Sequence, residues 1–524
     1  MMSRLSAAVL CVALGACTSA PPVRNAALLY SVTGYEARAA KRAVVREIGA
    51  AGDLGPRDWQ LIDESGHSVA SGKLRALPET WGMRLSEADF SDIERPGRYR
   101  VRVGPAESAP FEIGERVLGR RIIRALSLEN AALRNATSAQ GGGFYDCNSL
   151  MGEARSHGSF VAGLADTLVR RGGDFDQADR ARLREQIRIG IRYLLALHRP
   201  GGGFADNHPA RQMGRHDESN TPFALYGLAK SLAALDRQAP SDRELAARIV
   251  SIVRAERDRP SANLPAHLDA SLTMLLYRYG GDAADAERAT AQLRRHLASF
   301  KPDRGGGYAA EAAAPYFEAL HDWLGAFPGH AERNVFVDAA REIARAGFLP
   351  VRASNGFRLF PVGEPRSYRD AVAAPGPVPK GAGPGGFWSN SKIARMALDA
   401  VLLAEITGEP AVADVATAAL GWITGLNSGV EARFTSQGSP GDRSLVAASY
   451  IAHIAENHAM PWRRWWWPGD RSRVVSVVNG SIVTPEAGWA YSPDAFQSSE
   501  TFIHIDGALL SALVAYEGYY FVNN

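Results

Sequence analysis

Apolar positions along this 524-residue chain follow two successive rhythms. Between residues 26 and 113 they come in short alternating runs. Arg98-Tyr99-Arg100-Val101-Arg102-Val103 places every second side chain on one face, the period of a half-buried strand. Trp59-Gln60-Leu61-Ile62 runs into the turn signal Asp63-Glu64-Ser65-Gly66, and Ser68-Val69-Ala70 resumes the alternation. Pro96-Gly97 marks a further turn. Short strands at this spacing predict a β-sandwich of immunoglobulin type over residues 26–115. From residue 118 the period becomes helical. In the stretch 181–198, Leu183, Ile187, Ile191, Leu194 and Leu195 share one face. Comparable stretches cover 221–235, 266–279, 392–406 and 507–516, separated by Gly/Pro-rich loops such as Arg199-Pro200-Gly201-Gly202-Gly203 and residues 374–386. Roughly a dozen helices fit the remaining chain at ordinary helix and loop lengths. There is no strict repeat. Twelve helices in two rings, an all-α (α/α)6 barrel over 118–524, is the natural closed arrangement.

The N-terminus reads differently. A short basic start ending at Arg4 precedes an apolar run, residues 5–14, as in a secretory signal peptide. The run is too short to span a bilayer as a mature helix. Leu14-Gly15-Ala16-Cys17 has the form of a bacterial lipobox closing the signal region 1–17, and cleavage just before Cys17 makes it the lipidated first residue. A plain signal peptide cut nearby is the alternative. Residues 18–25, with Pro21-Pro22, then form a tether. The expectation is an exported lipoprotein of the outer membrane, held there by its N-terminal lipid.

Of the three cysteines, Cys11 leaves with the signal and Cys17 carries lipid, so Cys147 remains alone. That excludes an intramolecular disulfide and a cysteine zinc site in the mature chain. A net charge of +3 without a basic run speaks against nucleic acid as a partner. Ten tryptophans suit the stacking faces of a carbohydrate cleft, and equally an ordinary core. A monomer is expected.

Four stretches, in order, resemble glycoside hydrolase family 9 enzymes that carry an N-terminal Ig-like module. The first runs from Ala88-Asp89-Phe90-Ser91 through Pro96-Gly97-Arg98-Tyr99 to Pro110-Phe111-Glu112-Ile113 and is similar to the end of that module. The second, Gly142-Gly143-Phe144-Tyr145-Asp146-Cys147-Asn148-Ser149, resembles the family's Gly-Gly-Trp-x-Asp-Ala-Gly-Asp segment. The third is Gly425-Leu426-Asn427-Ser428 through Thr435-Ser436-Gln437-Gly438, and the fourth is Ser499-Glu500-Thr501-Phe502-Ile503. The resemblance implies an inverting hydrolase of β-linked glycans with a sugar cleft at one barrel end. No cofactor is called for. Some family members bind structural calcium, but no loop here is specific enough to carry that over.

Inversion needs one carboxyl to protonate the leaving oxygen and another to activate water across the sugar, ~6.5–9.5 Å away. Glu500 matches the family's general acid; otherwise it is a helix N-terminal Glu behind a Ser498 or Ser499 cap. Asp146 matches the first of two aspartates, but Ser149 stands where the second, usual base belongs. Asp146 then serves as base or water-positioning group, or Glu153 reaches in, or the site only binds glycan. Cys147 beside His157 is a bare nucleophile–base pair and carries little weight. The family's His-His-Arg substrate element is not intact; His458 and Arg463 are the favoured replacements over Arg443. Trp388 and Tyr145 are further sugar-contact candidates, as are one or two of Trp462, Trp465, Trp466 and Trp467. Asp217 or Ser219 is read as a helix cap rather than, with His216 and Glu218, a metal site. Both departures lie where water and substrate are met, so a non-cellulosic glycan is expected. The competing readings are a non-catalytic glycan-binding lipoprotein and, more remotely, a polysaccharide lyase.

Overall fold

The computed structural model describes residues 26–47, 57–80, 83–136, 142–147, 152–205, 218–259, 264–300, 313–350, 355–359, 390–427, 451–453, 475–477 and 501–522. The described residues between Ala26 and Gly114 form two facing sheets. One has the order β1 (Ala26–Leu29), β3 (Arg42–Glu47), β7 (Arg84–Asp89), β6 (Arg75–Ala76). The other runs β2 (Tyr35–Glu36), β10 (Phe111–Gly114), β8 (Gly97–Val103), β4 (Asp58–Asp63), β5 (Ser68–Lys73), with β9 (Ala106–Glu107) beside β8. All pairs are antiparallel except β2 with β10. On β8 the alternation behaves as the sequence predicts: Tyr99, Val101 and Val103 are buried and the arginines between them exposed. They meet Val45, Trp59, Leu61, Phe90 and Phe111 in the sandwich core.

β3 breaks the alternation, because all six residues are buried. Ala43 and Val45 face the sandwich core, while Val44 joins the helical core together with Leu29, Met83 and Leu85. A strand buried on both faces has no polar side to show. Here the second cover is the helical domain.

That domain starts at α1 (Val117–Arg124), which continues through a π-helical stretch (Ala125–Asn130) and one more turn (Ala131–Leu133). Then follow α2 (Ala154–Arg171), α3 (Gln177–Leu197), α4 (Thr221–Ser231), α5 (Pro240–Arg257), α6 (Ala266–Gly280) and α7 (Ala283–Ser299). The last five are α8 (Glu318–Ala326), α9 (Arg333–Ile343), α10 (Asn390–Thr407), α11 (Pro410–Ile423) and α12 (Ile503–Val522). The even-numbered helices pack in a closed ring, α12 on α2, then α4, α6, α8, α10 and back to α12. The odd-numbered helices cover them, so the architecture is an (α/α)6 barrel. Inner helices are apolar nearly all round: Leu509, Leu510, Ala512, Leu513, Val514 and Ala515 of α12 are all buried.

Because each inner helix returns through an antiparallel outer one, all six inner helices run the same way. Connections leaving them are short (172–176, 232–239, 281–282, 327–332, 408–409). Those entering them include the long segments 134–153, 198–220, 349–389 and 424–502. One barrel mouth therefore collects the loops and the N-terminal ends of the inner helices. Among the described residues no helix is long and apolar enough to cross a membrane.

Candidate active site

The mouth is organised by a buried arginine. Asn130 and Arg134 stand four apart at the end of the α1 run, so their side chains meet, and Arg134 Nε donates to Asn130 Oδ1 at 2.9 Å. Nη1 donates to the carbonyls of Tyr145 (3.0 Å) and Asp146 (2.9 Å), and Nη2 to the hydroxyls of Ser476 and Thr501, both at 3.1 Å. Asp506 on α12 supplies the counter-charge one step out. Its carboxylate accepts from Asn130 Nδ2 (2.8 Å), Ser476 Oγ (2.6 Å) and the Val477 amide (2.8 Å). Burial pushes the Asp506 carboxyl up, and Arg134 and these donors oppose the rise. Finally, the Ile503 amide donates to the Asp146 carbonyl at 3.0 Å. The segment of Asp146 and the start of α12 are thus locked together, with Thr501, the residue after Glu500, held by the same guanidinium. Ser476 and Val477 lie on β14 (Val475–Val477), paired with β13 (Ile451–His453); β11 (His198–Arg199) and β12 (Gly203–Phe204) make a second small hairpin at this end.

His157 fixes the other side of the Asp146 loop. Its Nε2 accepts from the Phe144 amide and its Nδ1 donates to the Glu153 carbonyl, both at 2.9 Å. The ring lies 4.1 Å, centroid to centroid, from Tyr193, whose hydroxyl donates to the Gly152 carbonyl. Burial pulls the imidazole down to about 4, so it is neutral. With both nitrogens committed to backbone, His157 is not available as a base for Cys147, in keeping with the little weight that pairing carries; Cys147 is buried and, among the described residues, bridged to no other cysteine.

Asp146 and Tyr145 are both buried beside Arg134, and burial raises the Tyr145 hydroxyl. Glu153 is half-buried at the N-cap of α2, where its Oε2 accepts from Ser156 Oγ at 3.3 Å. Ser156 Oγ also lies 3.5 Å from Nδ1 of His504 on α12. Glu500, Ser149, His458, Arg463, Arg443, Trp388, Trp462, Trp465, Trp466, Trp467, His216, Asp217 and Cys17 lie outside the described residues. Helix α12 begins at Ile503, three residues past Glu500. Likewise α4 emerges from a 3-10 turn, Glu218–Asn220, with Asn220 rather than Ser219 at the N-cap. Among the described residues no three His, Cys, Asp or Glu side chains converge to hold a metal ion.

Sequence reading missed Arg134, Asn130 and Asp506. The available signal was an aspartate inside the otherwise apolar start of α12. It also missed a charged cluster between the inner helices. Lys230 Nζ pairs with Asp166 (2.5 Å) and Glu318 (2.6 Å), Tyr226 donates to Glu318 (2.7 Å), and Ser511 to Asp166 (2.7 Å). These contacts tie α2, α4, α8 and α12 together below the mouth.

Residues 30–108 match the family model of the cellulase N-terminal Ig-like domain. The chain superimposes on a metagenome-derived glycoside hydrolase family 9 endoglucanase with a TM-score of 0.63 at 16% identity, covering 94% of this chain and 99% of that one. The fold is that of the family 9 glycoside hydrolases. A family 9 protein of Bacteroides ovatus aligns equally well, with a TM-score of 0.63, 16% identity, and 94% and 98% of the two chains covered. AaCel9A in complex with cellobiose-like isofagomine gives 0.61 and 16%, covering 94% and 99%. No curated protein matches this chain in sequence.

Proposed function

We propose that this chain is a glycoside hydrolase that cleaves a β-linked, non-cellulosic glycan by inversion, with Glu500 as general acid and Asp146 as base or water-positioning group. One observation carries the reading: Arg134 holds the Asp146 carbonyl and the Thr501 hydroxyl together at the barrel mouth. The two segments that would supply the carboxyl pair are therefore neighbours in a rigid, buried frame. The solved family 9 structures of the same fold, one of them in complex with cellobiose-like isofagomine, support carbohydrate as the ligand. Ser149 and the altered His-Arg element support a substrate other than cellulose. His458, Arg463, Trp388 and Tyr145 are the proposed sugar contacts. Cys17 is proposed as the lipidated N-terminus of an outer-membrane lipoprotein, which mass spectrometry of the mature protein tests through the loss of a diacylglyceryl mass in Cys17→Ala.

A second reading, glycan binding without cleavage, is favoured by the burial of Asp146 away from solvent. A glycan-panel digestion separates the two. Glu500→Gln and Asp146→Asn should each lower turnover by about 10²–10⁴-fold with binding retained, while Glu153→Gln stays near wild type. Full activity in Glu500→Gln would sink the acid assignment. A loss in Glu153→Gln instead of Asp146→Asn would move the base to Glu153. Binding with no cleavage by the wild type would leave the second reading.

A further inference from the structure

Four inner helices bring cationic or imidazole side chains to the mouth within their first two turns: Arg155 on α2, His267 on α6, Arg395 on α10 and His504 on α12. Arg155 lies over the Phe223 ring of α4 at 4.5 Å, and Arg395 lies 6.0 Å from the Tyr226 ring of the same helix. Arg395 is half-buried and, among the described residues, takes part in no ion pair or hydrogen bond. The carboxylate below it is already committed, because Glu318 accepts from Tyr226 on one oxygen and from Lys230 on the other. His267 is 7% exposed and, among the described residues, its Nε2 has no hydrogen-bond partner.

We propose that this part of the mouth binds an anionic group on the glycan, a uronate carboxylate or a sulfate ester, with Arg395 as its principal contact. A partly desolvated guanidinium without a counter-ion is costly to keep unless a ligand completes it. Its planar fork suits a two-oxygen anion. The neighbouring imidazoles do not compensate for it or compete with it. Burial, then His296 and Arg395, takes His267 down to about 3. Burial, then Arg155 and Arg395, takes His504 to about 3. Both rings are neutral and able to hydrogen-bond a sugar hydroxyl. The N-termini of α2, α4, α6, α10 and α12 add positive potential at this end. His504 follows Ile503, whose amide holds the Asp146 carbonyl, so the anionic unit would sit next to the scissile sugar.

This inference rests on the glycan-cleft reading above, and calorimetric binding tests it without requiring turnover. The probes are a neutral β-1,4-linked tetrasaccharide, the same chain with one glucuronate and the same chain with one 6-sulfate, titrated into the full chain. The wild type should bind at least one charged probe about 10-fold more tightly than the neutral one, as one charge-assisted contact allows, with the preference shrinking as salt rises. Which charged probe wins separates carboxylate from sulfate. Arg395→Gln should bring the preference to within about 2-fold, and Arg395→Lys, which keeps charge without the fork, should retain about 3-fold. Arg395→Lys also serves if the glutamine variant does not fold. A neutral probe bound as tightly as both charged ones, or a preference that survives in Arg395→Gln, overturns the inference and leaves the hydrolase reading standing. No binding of any probe overturns both.

Discussion

Arg134 donates hydrogen bonds to Asn130, Tyr145, Asp146, Ser476 and Thr501 from a position fully shut off from water, those to Tyr145 and Asp146 going to their carbonyls. Replacing it by methionine keeps much of the volume but strands those acceptors and leaves Asp506 without its nearest cation. Truncating one member of a buried charge network typically costs about 3–5 kcal/mol. Arg134→Met should therefore lower the denaturant midpoint by that equivalent at unchanged slope, and abolish turnover even where the fold survives. Arg134→Lys, with one ammonium in place of a fork, should recover only part of the stability and little of the activity. An unchanged midpoint in Arg134→Met would show that the guanidinium does not organise the mouth. A single arginine has no signature in a chain with 59 basic residues. What was legible was the Asp146 segment, because its Gly-Gly-aromatic-x-Asp order carries a resemblance. Its supports come from Asn130, Ser476 and Asp506, whose separation along the chain hides them from local reading.

Helices were easier to read than their partners. The period of apolar residues located α3 as 181–198 against the observed Gln177–Leu197, and α10 as 392–406 against Asn390–Thr407. The contact between inner helices is set instead by small residues that carry no periodic signal. Gly163 of α2 meets Gly507 of α12, and a Cβ added at Gly507 would lie 2.2 Å from the Ser159 carbonyl oxygen. Gly158 and Gly227 do the same between α2 and α4, where a Cβ on Gly227 would reach 2.2 Å from the Gly158 carbonyl oxygen. The clash is with backbone, so the helices must separate. Gly507→Ala should cost about 2–3 kcal/mol by overpacking, read as a lower melting temperature, and should disturb the Asp146–Ile503 junction one turn away. A melting temperature equal to wild type would refute close helix approach at that point.

A titrating contact joins α8 to α10. His321 Nε2 lies 3.0 Å from Glu405, and Nδ1 lies 3.5 Å from Asp322. Burial alone would lower this histidine, but Asp322 and Glu405 outweigh it and raise it to about 9. The folded state thus holds the proton more tightly than the unfolded chain, whose histidine titrates near 6.5. The contribution to stability is complete below about 6.5 and is lost as pH rises through about 9. Because a third of the side chain is exposed, the effect is discounted to about 1 kcal/mol. Wild type should lose melting temperature between pH 7 and pH 9.5 relative to His321→Asn. Parallel pH profiles for the two proteins would remove the assignment.

The sandwich is not an appended module held by a linker. One face of β3 belongs to the helical core, and Glu36 of β2 accepts from the amides of Arg116 and Leu118 at the start of α1. Glu87 of β7 is the centre of the junction. It takes two hydrogen bonds from Arg358 (2.9 and 3.1 Å), one from Arg42 (3.4 Å) and one from Arg75. Arg42 in turn donates to the carbonyls of Gly356 (2.9 Å) and Phe357 (2.8 Å). Sequence alternation announced a sandwich and a helical region separately but not this weld, since a charged residue in a strand reads as solvent-facing. Deleting the Glu87 carboxylate would leave Arg42 and Arg358 buried without an acidic partner, at a cost of about 3–5 kcal/mol. Calorimetry of the wild type should give one cooperative transition for sandwich and barrel together. Glu87→Ala should move it down and split it, the sandwich melting first. The mouth lies at the inner-helix N-termini and Glu87 touches none of its residues, so glycan binding below the first transition should remain. A single, unshifted transition in Glu87→Ala would mean that apolar burial at β3 alone joins the two domains.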